Sequence, residues 1–425
     1  MQKSERGAPD ASSIILGKRF CCHRRAARPE QFTTFANLLL QCVTPVAGWQ
    51  LLGQGRSLLV SNPFHDEVTT CGILKPVESL FLRYGNFANA FSVAFDPDFK
   101  RHLHPEGSGS SDKAGVIAYA RFAPLAVTGV FFDPLCSEEV LPSVLDEFLK
   151  LIRLRSPGER MCFWKVSRPV AKLLAKRGYF IAPYGVENDV LMPRSLRGRR
   201  LENLRSEIKK ARRKGIVVEL VPWDAPPETW AELEQVNARW LASKPQLTAR
   251  FLQTACRRVT RHLPYRHERH CTRIVARRPD GSAVGWAALD HLYQEDALIG
   301  FAPNLRFDPA AGYGVAALLA IEGASILQQQ IQQSDVKIRL ALGESPLVEF
   351  PEEQGIFFGK DERRARVLER IFSFVRERGS WLYGVRGISN WKRKWKADNK
   401  PETFVAVDSE FPLRTVVSMV ALLLR

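Results

Sequence analysis

Residues 201–215 read LENLRSEIKKARRKG, and the organisation of the chain follows from how this stretch folds. Leu201, Leu204, Ile208 and Ala211 recur at spacings of three and four, the period of an amphipathic helix. Gly215 follows Lys214 where a helix C-cap is expected. One side of such a helix can pack, while the other turns Arg205, Lys209, Lys210, Arg212 and Arg213 to solvent. Across Arg194–Lys214, ten Lys or Arg stand against two acids. Like charges one turn apart repel, a cost that an anionic partner offsets. A second basic cluster, Arg386–Lys396, points the same way, to a phosphate-bearing ligand.

On either side of this helix the elements repeat in order. Before it come strand-like Val116–Phe122 and Ala126–Phe132, a helical pattern over Glu138–Ile152, a strand Met161–Val166 and a short helix Val170–Lys176. A Tyr184-Gly185 turn then leads into Val190 and Leu191. After it, Thr272–Ala276 and Ala283–Leu289 flank the hairpin signal Asp280-Gly281, and Ala297–Phe301 adds a third strand. Helical Val315–Gln330, strand Lys337–Leu342, helix Arg363–Arg378, a Tyr383-Gly384 pair and strand Thr403–Val407 follow. Antiparallel strands, helix, strand, helix, strand is the layout of the acetyltransferase-like α/β fold. The expected plan is a disordered leader (1–30), a first acetyltransferase-like domain (31–200), the basic linking helix (201–215), a second such domain (216–412) and an apolar tail or helix (413–425).

Composition narrows the function classes. The 425 residues carry 62 Lys and Arg against 45 Asp and Glu, a formal charge of +17, and the pI is near 9.7. That balance suits nucleic acid or anionic lipid. The eight cysteines include no CxxC pair, so neither a zinc ribbon nor a disulfide scaffold is indicated and a reducing cytoplasm fits. No apolar run approaches the roughly 18 residues of a membrane span, and Met1–Asp10 lacks a signal-peptide core. A cytoplasmic chain, soluble or peripheral to a membrane, is expected, with Val416–Leu424 packed inside.

Several motifs bear on chemistry. Gly312-x-Gly314, between a strand and a helix, resembles an acyl-CoA loop in which backbone N–H groups hold pyrophosphate, although Pro309 stands where that pattern carries Arg or Gln. Leu342-Gly343-Glu344-Ser345-Pro346-Leu347 ends a strand and opens a loop, the place where α/β sheets tend to hold ligands. His267-x-x-His270-Cys271 has no second pair of ligands and reads as a basic loop entering a strand, so no metal is expected. In Trp391-Lys-Arg-Lys-Trp395 the rings share a helical face among cations. This pattern suits either stacking on a base or ordinary core packing.

Taken together, Gly129-Val-Phe-Phe-Asp133-Pro134, Phe163-Trp-Lys-Val166, Lys176-Arg-Gly178-Tyr179, helix Leu201–Gly215, Trp240-Leu241, Asp280-Gly281 to Leu289, Leu342-Gly343 to Leu347 and Tyr383–Trp395 resemble, in content and order, the catalytic domain of the aminoacyl-phosphatidylglycerol synthases (the phosphatidylglycerol lysyltransferase C-terminal domain). The resemblance covers about residues 70–408, without the family's membrane-spanning region. It implies two tandem acetyltransferase-like (GNAT) folds joined by a basic helix, no cofactor, and transfer of an amino acid from aminoacyl-tRNA to a lipid hydroxyl. Arg205, Lys209, Arg212, Arg386, Lys392 and Lys394 would then hold tRNA or an anionic lipid or membrane surface. Gly312, Gly314 and Gly343 would let substrate approach the backbone, and Glu295, Asp296, Glu344 and Ser345 would line the reaction centre. The chain departs from the family at Leu298-Ile299-Gly300-Phe301, where an Asp-Leu-Met-Arg-like segment is usual, and at Ala316 and Ala317, where an acid is. A CoA-dependent N-acyltransferase and a non-catalytic binder of tRNA or anionic membrane are the alternatives. The amino acid, the acceptor and the oligomeric state stay open.

Overall fold

The computed structural model describes residues 67–96, 99–104, 114–122, 126–244, 269–331, 337–346 and 385–408, all within the unit Leu59–Arg425. The leader, helix Arg363–Arg378, Tyr383-Gly384, His267, Leu347, the tail 413–425 and the side chain of Arg386 lie outside the described residues.

The first half runs α1 (Glu67–Tyr84), α2 (Ala90–Phe95), β1 (Lys100–His104), β2 (Gly115–Phe122), β3 (Val127–Phe131), α3 (Leu141–Arg155), β4 (Arg160–Ser167), α4 (Arg168–Lys176) and β5 (Phe180–Met192). Helix α5 (Glu202–Arg213) leads to β6 (Val217–Val221), α6 (Pro227–Ala242), β7 (Cys271–Arg277), β8 (Ala283–Gln294), β9 (Ala297–Phe307), α7 (Gly314–Ile331), β10 (Ile338–Pro346), α8 (Val385–Lys394) and β11 (Glu402–Val407). Helix α3 carries the chain back so that β4 lies parallel to β3, and α7 does the same for β10 and β9. A crossover helix is what a parallel neighbour requires.

The strands form one sheet in the order β1-β2-β3-β4-β11-β5-β10-β9-β8-β7-β6. Exchanging β1–β5 for β7–β11 maps this order onto itself apart from β6. The halves are therefore related by a pseudo-two-fold, and each gives its last strand to the other: β11 lies between β4 and β5, and β5 between β11 and β10. Tyr184-Gly185, read as a turn, lies inside β5. Its glycine is used for close approach instead, since a Cβ at Gly185 would sit 2.7 Å from the carbonyl oxygen of Ser345.

Helices cover the sheet and close its cores. Helices α3 and α4 bury Val144, Phe148, Val170 and Leu174 with Phe163 and Ile181. Helix α7 is apolar nearly all round because α5 covers it on one side and β8–β10 on the other, burying Val315, Leu318, Leu319 and Leu327. The α5 stripe Leu201, Leu204, Ile208 and Ala211 is buried as the periodicity requires, each large side chain contributing about 1.5–3 kcal/mol. Gly215, at φ 71°, ends the helix with its N–H on Arg212 O, and Ile216 N returns to Ala211 O. Such a left-handed cap favours glycine. Among the described residues no helix is long and apolar enough to cross a membrane.

Candidate active site

The exchanged strands meet at two irregularities. In β10 the register with β5 slips between Ala341 and Glu344, leaving Gly343 at φ 76°. In β4 the register with β11 slips opposite Trp164 and Val166, leaving Lys165 at φ 58°. The bulges occupy corresponding places in the two halves and re-aim side chains toward the pseudo-two-fold, as bulges beside functional sites do. A lysine in the left-handed region is strained by about 1–2 kcal/mol, so packing must hold it there.

Between the bulges lies a largely buried charge cluster. Lys165 Nζ pairs with Glu187 Oε1 at 2.9 Å and also donates to Asn89 Oδ1. Burial by itself lowers the lysine, but Glu187 and Glu344 more than offset it and the ammonium is favoured. Glu187 answers: burial raises it, and Lys165 brings it below the usual carboxylate range. Glu344 and Lys392 behave differently. Burial pushes the Glu344 carboxyl up to about 7, although Lys165 opposes this and Thr403 donates a hydrogen bond to it. Burial, then repulsion from Lys165, brings the Lys392 amine down to about 7, and its Nζ donates to the backbone oxygen of Glu344. A carboxyl and an amine that both exchange protons near neutrality stand side by side, the tuning that general acid–base chemistry uses. Asn188 Nδ2 donates to Ser345 Oγ at 3.1 Å and to Gly343 O at 3.2 Å, fixing the bulge. Asp189 is raised to about 6, chiefly by burial. Arg339 lies 3.6 Å from its Oδ2, while Oδ1, buried, has no hydrogen-bond partner.

The structure distributes the predicted residues unevenly. Glu344, Ser345, Gly343 and Lys392 come together, Lys392 as a buried member of the cluster. Glu295 and Asp296 are the exposed β8–β9 turn, both at positive φ, their amides on Arg83 O and Leu82 O at 3.0 and 3.1 Å. Gly300 pairs with Arg339 in parallel register, so Glu295-Asp296 and Glu344-Ser345 lie toward opposite ends of β9 and β10, separated by about ten residues of strand or roughly 30 Å. Arg205, Lys209 and Arg212 are exposed on α5 and, with Leu196, Ile208 and Arg213, line a surface groove of about 420 Å³. Arg212 pairs with Glu322 at 2.7 Å, and Arg205 donates to Leu196 O at 2.8 Å. Lys394 reaches Glu207 of α5. Helix α8 therefore touches the buried cluster through Lys392 and the basic helix through Lys394.

Gly314 is explained by helix packing. A Cβ there would lie 2.2 Å from Glu207 O, so this glycine lets α7 start against α5. Lys214 Nζ donates to Ala311 O at 3.1 Å on the same turn, and Gly312 adopts φ 96°. Trp395 is fully buried and Trp391 partly so, the rings packing edge to face at 5.8 Å. His270 ties Glu78 (2.8 Å) to Tyr293 (3.2 Å). Among the described residues no group of His, Cys, Asp and Glu is arranged to hold a metal ion.

Sequence reasoning missed Lys165, Glu187 and Asp189. The available signal was a charge inside a strand pattern, Phe163-Trp-Lys-Val166 and Glu187-Asn-Asp-Val-Leu191, since buried charges are rare unless paired. Asp133 of the first motif accepts from Ser167 N at 2.8 Å, at the N-cap of α4, which accounts for its place beside the site.

Two halves related by a pseudo-two-fold and meeting at a buried charge cluster define a mixed α/β fold that solved proteins share. The structure of L-PGS from Bacillus licheniformis superposes with a TM-score of 0.59 at 20% identity, covering 82% of this chain and 96% of that one. The C-terminal domain of a putative lysylphosphatidylglycerol synthetase from Agrobacterium fabrum gives 0.58 at 21%, covering 84% and 97%. A conserved protein of unknown function from Bacteroides thetaiotaomicron gives 0.51 at 12%, covering 79% and 97%. No curated protein sequence matches. Residues 108–407 match the family described as phosphatidylglycerol lysyltransferase, C-terminal, and the chain belongs to that family, which places it among transferases.

Proposed function

We propose that this chain moves an amino acid from aminoacyl-tRNA to the hydroxyl of an anionic lipid of the phosphatidylglycerol class. The observation that carries the reading is α8, which links the exposed cations of α5 to a buried acid–amine pair. A tRNA acceptor stem held along Arg205, Lys209 and Arg212 would bring its 3′ end toward that pair. The same positive charge draws the chain to an anionic membrane as a peripheral protein.

The aminoacyl ester is already activated, so catalysis consists of alignment, oxyanion stabilisation and proton transfer. The acceptor oxygen attacks the ester carbon as the neutral Lys392 amine takes its proton. Lys165, kept charged by Glu187, offsets the negative charge developing on the carbonyl oxygen. Collapse breaks the bond to the ribose oxygen, which takes the proton of Glu344. A proton passing from Lys392 to Glu344 restores both groups, and the buried, unpartnered Oδ1 of Asp189 would accept from the ammonium of the aminoacyl group.

Incubation of the purified chain with tRNA charged with radiolabelled amino acids and with phosphatidylglycerol vesicles tests this directly. RNase-sensitive label is expected in the lipid phase, lost in Lys392→Met and Glu344→Gln. Retention of tRNA and vesicle binding without label in lipid would leave the non-catalytic alternative standing.

A further inference from the structure

The sequence offered Trp391 and Trp395 either as rings on which a base could stack or as core; the fold buries Trp395 fully and packs the half-buried Trp391 against it. Two aromatic side chains among the described residues instead stand about two-thirds or more exposed, Trp223 at 70% and Tyr313 at 67%. Trp223 follows the edge strand β6. Tyr313 occupies the turn that leads into α7, against the C-terminal end of the basic helix.

Three features mark Tyr313 as a prepared surface. Its ring is steadied on one side by Phe307, edge to face at 5.6 Å. Its turn is fastened to α5 by Lys214 Nζ on Ala311 O and by the contact of Gly314 with Glu207. Lys214 stands at this turn through its bond to Ala311 O, Lys210 lies one helical turn back along α5, and both residues are exposed; neither Lys210 nor the neighbouring Arg213 forms an ion pair among the described residues. Cations that track a phosphate backbone next to a rigid aromatic face are the elements of a single-strand binding surface.

We infer that Tyr313 is a stacking platform for a nucleobase of a single-stranded RNA end, with Lys210 and Lys214 contacting the phosphates beside it. The inference rests on the aminoacyl-tRNA reading and deepens it. The α5 groove holds the duplex stem, and Tyr313 holds a base of the unpaired tail.

The test uses the full chain and two short RNA hairpins, one blunt and one with a single-stranded 3′ tail carrying 2-aminopurine. The tailed hairpin should bind wild type more tightly than the blunt one, with its fluorescence quenched. Tyr313→Leu, an exposed change that keeps the fold, should weaken binding of the tailed hairpin by roughly five- to hundredfold and abolish quenching. Binding of the blunt hairpin should be unchanged, and Tyr313→Phe should behave as wild type. Equal binding of the tailed hairpin by wild type and Tyr313→Leu overturns the platform while leaving tRNA binding intact. Loss of binding to anionic vesicles in Tyr313→Leu, with RNA binding unaffected, overturns it in favour of a membrane anchor. Failure of wild type to bind either hairpin removes the tRNA reading, and the platform with it.

Discussion

Glu344 and Lys392 set the behaviour of the site one proton at a time. Glu344 rises from 4.5 in an ordinary chain to about 7 in the fold, so between these values the native state binds more proton than the unfolded chain. Its contribution to stability is full below pH 4.5 and is lost as pH climbs to about 7. Lys392 falls from 10.5 to about 7. Its contribution is full above pH 10.5 and is lost as pH falls through that range. Glu344→Gln should therefore remove a decline in stability between pH 4.5 and 7, measurable by denaturant titration at several pH values, while abolishing transfer. Lys165→Met leaves Glu187 buried without its partner and should cost about 3–5 kcal/mol. Adding Glu187→Gln should return much of that loss, because the damage lies in the stranded charge.

At the scale of elements, α5 separates its tasks by face. Replacing Lys209, Lys210 and Arg213 with Ala touches no buried contact and should leave the melting temperature unchanged. The slope of log affinity for tRNA against log salt should fall by about one for each phosphate contact removed. Leu204→Ala on the opposite face should cost about 2–5 kcal/mol without a direct effect on that slope. Gly314→Ala drives a methyl group into Glu207 O and should destabilise by about 1–3 kcal/mol as α5 and α7 are forced apart. A thermal shift reads both substitutions.

The whole molecule is committed to its two halves together. With residues 201–425 removed, β4 loses β11 and β5 loses both of its neighbours, β11 and β10. The cluster loses Glu344 and Lys392 as well. A fragment 1–200 should be insoluble alone, with three newly bared strand edges open to aggregation, and co-expression with 201–425 should recover a soluble complex. The exchange also explains why one site serves two repeats: each half supplies a bulge, and only the paired strands bring Lys165 and Glu187 opposite Glu344.

Local patterns in the sequence determined many of the elements, though not α1, α2, β1, β6 or α6. The spacing of Leu201, Leu204, Ile208 and Ala211 fixed the face that α5 buries, Gly215 fixed where it ends, and the repeated order of strands and helices fixed the fold class. Gly343-Glu344-Ser345 marked one side of the site, but the strand end and loop read there are a bulge inside β10, which stays paired with β5 through Pro346. Tertiary structure alone decided that β5 and β11 change places, that Lys392 turns inward while Lys394 reaches α5, and that Trp391 and Trp395 are core while Tyr313 is surface. Periodicity reports which side of an element is apolar, but not which partner that side meets. Lys165 and Glu187, apart in sequence and on different strands, become a pair only when the sheet closes between them.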